Sequence, residues 1–141
     1  MKEGFEDKFM ELQSELISLC LEVTNKKVDN VYVYASIEEK SKMFNAFFKI
    51  GEEVKTLNQL GVDRGLVRQF LELGTTDLNE VKKLCKEYEA ELPTEMKMHY
   101  NVETGKYNAS YKYAAVCNAQ TGVSAGEVFM NWMGEVKQEL K

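Results

Sequence analysis

The sequence predicts an α+β fold: one domain, an antiparallel sheet with helices packed mainly on one face, and the order α-β-β-β-α-α-β-β-α. Three observations carry that expectation. Apolar residues in the first two dozen positions recur at three and four, the helical spacing, whereas those of residues 30–50 and 93–113 alternate. The alternating stretches are joined by turns too short to hold a crossover helix, which makes neighbouring strands antiparallel. No low-complexity segment, internal repeat or Pro/Gly/Ser-rich linker divides the 141 residues, so the domain is expected to span 1–141.

Residues from about 3 to 24 read as the first helix, with Phe5, Phe9, Leu12, Leu16, Leu19 and Val23 on the face that docks on the sheet. From Asn30 the period is two. Val31, Val33, Ala35 and Ile37 alternate with Tyr32, Tyr34 and Ser36; after a polar turn at 38–41, Phe44, Ala46, Phe48 and Ile50 share one face of a second strand, 43–50. Gly51-Glu52-Glu53 turns the chain into a third strand, 54–60. Residues 64–73 predict a short helix with Gly74 as its C-cap. Asp77 and Glu80 then form a capping box for a separate helix that buries Leu78, Val81, Leu84, Cys85 and Tyr88 and ends before Pro93.

Residues 93–113 predict a hairpin. Met96, Met98, Tyr100 and Val102 alternate with Lys97, His99 and Asn101; beyond the Glu103-Thr104-Gly105 turn, Tyr107, Ala109, Tyr111 and Tyr113 alternate with Lys106, Asn108, Ser110 and Lys112. A polar loop follows at 118–122, and Ser124 with Glu127 caps a last helix carrying Val128, Trp132, Met133 and Val136 roughly on one side.

The charge balance, 18 basic against 23 acidic residues, disfavours a general nucleic-acid binder and suits a basic protein partner. Cys20, Cys85 and Cys117 are odd in number and lack metal-ligand spacing, so no disulfide, metal or cofactor is expected, and the thiols serve as small hydrophobes in a reducing compartment. The opening Met1-Lys2-Glu3-Gly4 lacks the basic start of a signal peptide and no run suits a membrane span; the expectation is a cytoplasmic protein.

Catalytic constellations are sparse. His99, the single histidine, falls on the polar face of a strand with no accompanying nucleophile signature, and reads as an exposed sheet residue. Glu38-Glu39 and Glu52-Glu53 sit in turns, without the buried surroundings that tune one acid against another. Gly61-Val62-Asp63-Arg64-Gly65 has two glycines but no phosphate-loop lysine. The hairpin tyrosines interleave with Lys97, Lys106 and Lys112, yet parity puts the rings on the core side and the ammoniums in water, against a base-stacking platform.

One pattern points to a partner. Glu3, Asp7, Glu11, Glu15 and Glu22, with Ser18 in the gap, follow one another along the first helix opposite its apolar stripe. Like charges at i,i+4 destabilise a helix by about 0.2–0.5 kcal/mol per pair, which makes this row a candidate surface for a cationic protein. Solubility alone would also account for such a row.

The Pro93-Thr94-Glu95-Met96-Lys97 entry, the Thr104-Gly105-Lys106 turn, the closing Tyr111-Lys112-Tyr113 and the late Trp132 resemble the YezG-like immunity family, small bacterial antidotes to secreted polymorphic toxins. The order of elements is similar over most of the chain, including the Val31-Tyr32-Val33-Tyr34-Ala35 strand. The chain lacks the Trp that many members carry near the hairpin entry. The resemblance implies a non-catalytic protein that binds a toxin's effector domain, often a nuclease, and blocks it stoichiometrically. Two other readings stay open: a small enzyme or ligand-binding domain with a pocket between sheet and helices, and an adaptor that adds a partner strand to the sheet edge.

Overall fold

The strand richest in alternating apolar and tyrosyl residues occupies the one place that needs both of its faces buried. In a computed structural model that describes residues 3–38, 41–114, 116 and 122–139, β1 (Asn30–Ile37) is central and all eight of its residues are buried. It pairs antiparallel with β2 (Lys42–Ile50) on one side and β4 (Glu95–Asn101) on the other; β3 (Glu53–Lys55) and β5 (Tyr107–Lys112) form the edges of the antiparallel order β3-β2-β1-β4-β5.

Period two then sorts side chains to two layers. Val31, Val33, Ala35, Phe44, Ala46, Phe48, Met96 and Met98 face α1 (Phe5–Val23) and α2 (Arg64–Glu87), which supply Leu16, Phe70, Leu78 and Val81 to the larger core. Tyr32, Tyr34, Phe47 and Val54 face the opposite way and are covered by Phe129, Met133 and Val136 of α3 (Ala125–Glu139). Two helices on one face and one on the other agree with the expected layering. Ser124 Oγ accepts the Glu127 N–H at 3.1 Å, the cap that the sequence predicts for α3.

The expected pair of helices around Gly74 is a single helix. α2 runs uninterrupted for 24 residues from an Asp63 N-cap whose carboxylate accepts the Gly65 and Leu66 N–H groups, and it ends at Tyr88. Gly74 is therefore not a C-cap, nor Asp77 an N-cap. A Cβ on Gly74 would lie 2.6 Å from Phe44 Cγ, so the residue is glycine because α2 crosses β2 there at backbone distance. The third strand is also shorter than expected. After Lys55 the chain coils, with Leu60 N–H bonded to Thr56 C=O and Val62 N–H to Leu57 C=O, because Leu57 turns inward and is buried in the core.

The hairpin follows its parity: Met96 and Met98 are fully buried, Tyr107, Ala109 and Tyr111 are half-buried on the same side, and Tyr113 lies exposed beyond the end of β5. Val102 leaves the strand, its N–H bonding to Asp29 C=O, and Gly105 takes the positive φ of 75° that the turn requires. Cys117, Glu39 and most of the loop expected at 118–122 lie outside the described residues.

Candidate functional site

α1 and α2 lie antiparallel: Phe5 meets Tyr88, with ring centroids 6.2 Å apart, while at the other end Val23 and Leu66 border the same cleft. With Phe5, Phe9, Leu16, Ile17 and Cys20 turned to the core, the helical period sends Asp7, Glu11, Glu15, Ser18 and Glu22 outward, and all five are exposed. Glu3 is exposed too, but it precedes the helix, which starts at Phe5, so only Asp7–Glu11 and Glu11–Glu15 are helical like-charge neighbours. Among the described residues the ion pairs are Lys55–Glu53, Lys83–Glu80 and Lys112–Glu95, and none includes a member of the row. Lys8, the cation within α1, leans the other way, its Nζ 5.5 Å from the Tyr88 ring centroid.

The row borders a groove along the α1–α2 seam. A cleft of about 230 Å³ is floored by Leu19, Val23 and Phe70, with Leu66 and Leu73 on its lip; it shares Leu19, Glu22 and Leu73 with a second cleft of about 390 Å³ that Glu15 and Asp77 flank. Leu66 and Leu73 are 51% and 45% exposed, among the most exposed large apolar side chains of the chain. They stand two turns apart on one flank of α2, the flank that lines these clefts together with α1. Asp77 is half-buried in this seam: burial, and then Glu15 and Glu80, hold its carboxyl above the ordinary carboxylate value.

Gln13 is the least expected member of α1's buried face. It is fully buried, and its Oε1 accepts hydrogen bonds from the Tyr111 hydroxyl at 3.0 Å and from that of Tyr107. These two tyrosines thus close over the core with their hydroxyls satisfied inside it, and their rings are not offered on the same face as the hairpin lysines. Burial, with Tyr111 adding to it, pushes the Tyr107 hydroxyl up.

On the other face of the sheet His99 is half-buried, contrary to its expected exposure, because the Tyr32 ring lies flat against it. It stacks on Tyr32 with centroids 4.3 Å apart, and its Nε2 lies 2.8 Å from Asn30 Oδ1. Burial lowers its pKa; Glu139 opposes that and Lys49 adds to it. Cys20 and Cys85 belong to the core on the far side of the sheet, where burial pushes both thiols up and away from nucleophilic thiolate. Trp132 stands edge-on to Phe47 at 5.0 Å and to Tyr32 at 5.8 Å, half-buried, with the Lys97 ammonium 5.6 Å from its ring. Glu95, given no site role in the sequence reading, is buried; it accepts the Tyr34 hydroxyl at 2.9 Å and has Lys112 at 3.7 Å. The buried hydroxyl holds that carboxylate on the alternating face where a solvent-exposed acid would be expected.

Among the described residues no group of three or more His, Cys, Asp or Glu side chains is placed to hold a metal, and no helix is long and apolar enough to cross a membrane. The face with the strongest chemical character is therefore the outer side of α1 with its seam to α2, apolar in the groove and acidic along the edge. No protein-family model matches the chain, and no curated protein does.

Proposed function

We propose that this domain is a non-catalytic immunity protein: it binds the effector domain of a cognate secreted bacterial toxin, a basic protein of nuclease type, in the cytoplasm and blocks it. The observation that carries the reading is the exposed carboxylate row of α1, Asp7, Glu11, Glu15 and Glu22, with Glu3 just ahead of the helix, standing without an ion-pair partner among the described residues. A helix tolerates such a row at a cost of a few tenths of a kcal/mol per neighbouring pair, and a cationic surface brought against it reverses the sign. Nucleases hold phosphates in basic clefts, so an acidic helix competes for the same ground, speeds encounter and excludes the nucleic acid. The likeness of the hairpin and the Trp132 helix to YezG-like antidotes points in the same direction.

The test is co-expression with the protein encoded immediately upstream. Its C-terminal domain, produced in a bacterial host, is expected to arrest growth alone and to be tolerated when this chain is present, with a stoichiometric complex on gel filtration. Undiminished arrest and no complex at micromolar concentrations would sink the proposal. So would a neighbour that is not a secreted protein with a toxic C-terminal domain.

A further inference from the structure

Acidity alone does not account for the α1–α2 groove, since its exposed lip is leucine. Leu66 and Leu73 leave about half of their surface in water beside a floor of Leu19, Val23 and Phe70, while Glu15, Glu22 and Asp77 stand along the rim. A third cleft, of about 410 Å³, continues the groove past Val23 and Leu66 and adds Asp63 and Lys27. Residues lining the three clefts thus bring four carboxylates, Glu15, Glu22, Asp63 and Asp77, against the single ammonium of Lys27.

The geometry points to this groove as the docking site for a cationic amphipathic helix of a partner protein, its apolar anchors seated on Leu66 and Leu73 and its Lys or Arg side chains set against Glu15, Glu22 and Asp77. Both walls are helices whose backbone groups are already bonded within themselves, so an incoming strand has nothing to pair with. An occupant that buries its own backbone there must satisfy it internally, as a helix does. The seam from Ser14 to Val23 is about 14 Å long at 1.5 Å per residue, which accommodates two to three turns. Charge selects the sign of the occupant. A second copy of this chain, with formal charge -5 and an acidic α1, would bring like charge to like. Asp77 reports the same demand, since burial and Glu15 disfavour its ionised form and a neighbouring cation would restore it.

The inference deepens the proposed inhibitory binding and rests on it for the class of partner, but it does not require that partner to be a toxin. Random 16-residue peptides displayed on phage are panned against the immobilised full chain, and the enriched peptides are synthesised and measured by titration. The expected winners carry net positive charge with apolar residues at i, i+3 or i+4, and i+7. Replacing both lip residues, Leu66→Ser with Leu73→Ser, is expected to weaken them about tenfold or more, and Glu15→Gln with Glu22→Gln to weaken them and flatten their salt dependence. Met130→Ser, at an equally exposed apolar residue of α3, is expected to change nothing. Because these side chains are exposed, melting temperatures should stay within a few degrees of the parent.

No enrichment over an unrelated protein, winners that are neutral or acidic, or binding indifferent to the lip variants would each overturn the inference. Self-association that depends on Leu66 and Leu73 would do the same in favour of a second copy. If the lip variant still neutralises the neighbouring toxin, the groove falls and the immunity reading stands; if cationic peptides bind the groove but no toxin is neutralised, the reverse holds.

Discussion

Replacing Gly74 by alanine sets two effects of known sign against each other. In an exposed helix interior the change gains about 1 kcal/mol, because glycine carries excess backbone entropy in the unfolded chain. At position 74 the new Cβ would lie 2.6 Å from Phe44 Cγ and nearer still to Cδ2 and Cε2, where carbons pack comfortably at about 3.5–4.0 Å. Phe44 cannot swing aside: it is 4% exposed, held by the Phe70 ring at 4.9 Å and anchored in β2 opposite Ala35. α2 must lift instead, loosening Phe70, Leu78 and Val81 together. Overpacking of this kind costs about 1–3 kcal/mol, here at the upper end, so after the propensity gain we expect a net loss of about 2 kcal/mol. Urea unfolding followed by circular dichroism would register that as a midpoint lowered by about 1 M. Gly134 in α3 has nothing within 4 Å of its notional Cβ, so Gly134→Ala is the matched control and should raise the midpoint. In a Phe44→Leu background the cost of Gly74→Ala should shrink, with a coupling of about 0.5–3 kcal/mol. A higher midpoint for Gly74→Ala, or the same cost with and without Phe44, would refute the close-crossing account.

Three further outcomes can be checked on the same material. Trp132→Ala should destabilise the domain by about 2 kcal/mol, less than the 3–5 of a fully buried ring, since Trp132 caps Tyr32 and Phe47 from a half-buried position; an unchanged denaturation midpoint would mean that α3 does not depend on it. Glu11→Gln, Glu15→Gln and Glu22→Gln combined should leave folding intact or improve it by up to about 1 kcal/mol while slowing association with the partner and making it less salt-dependent; a variant that binds and protects like the parent returns the row to solubility. For Asp77, a raised folded pKa means that the folded state keeps this proton longer than the unfolded one, so its contribution falls as pH rises from the model-compound value of 3.8 through the folded value. Asp77→Asn should therefore raise the melting temperature at neutral pH and give no gain in acid, and an equal gain at both would exclude titration of Asp77 as the cause.

The sequence by itself determined what depends on neighbours along the chain. The three-and-four recurrence from Phe5 to Leu16 placed α1 and its outer carboxylates, the alternation of 93–113 placed the hairpin and its inward methionines, and Ser124 with Glu127 marked the start of α3, because backbone geometry fixes which nearby residues share a face. The acidic row was legible for the same reason; the leucine lip beside it was not, since Leu66 and Leu73 become a groove only when α1 is laid antiparallel against α2. Gly74 and Asp77 carried true local signals for a helix end and a helix start, and tertiary packing overrode both: a missing Cβ serves a C-cap or a close crossing equally well, and only Phe44, thirty positions earlier, selects between them. Gln13 lies at the helical spacing of Phe9 and Leu16, but a buried amide there is tolerated only because the hydroxyls of Tyr107 and Tyr111 arrive from the far end of the chain, and His99 reads as exposed until the Tyr32 ring stacks on it. Those outcomes belong to the tertiary structure because burial and hydrogen-bond satisfaction are set by whichever residues meet in space, and one-dimensional spacing carries no record of that meeting.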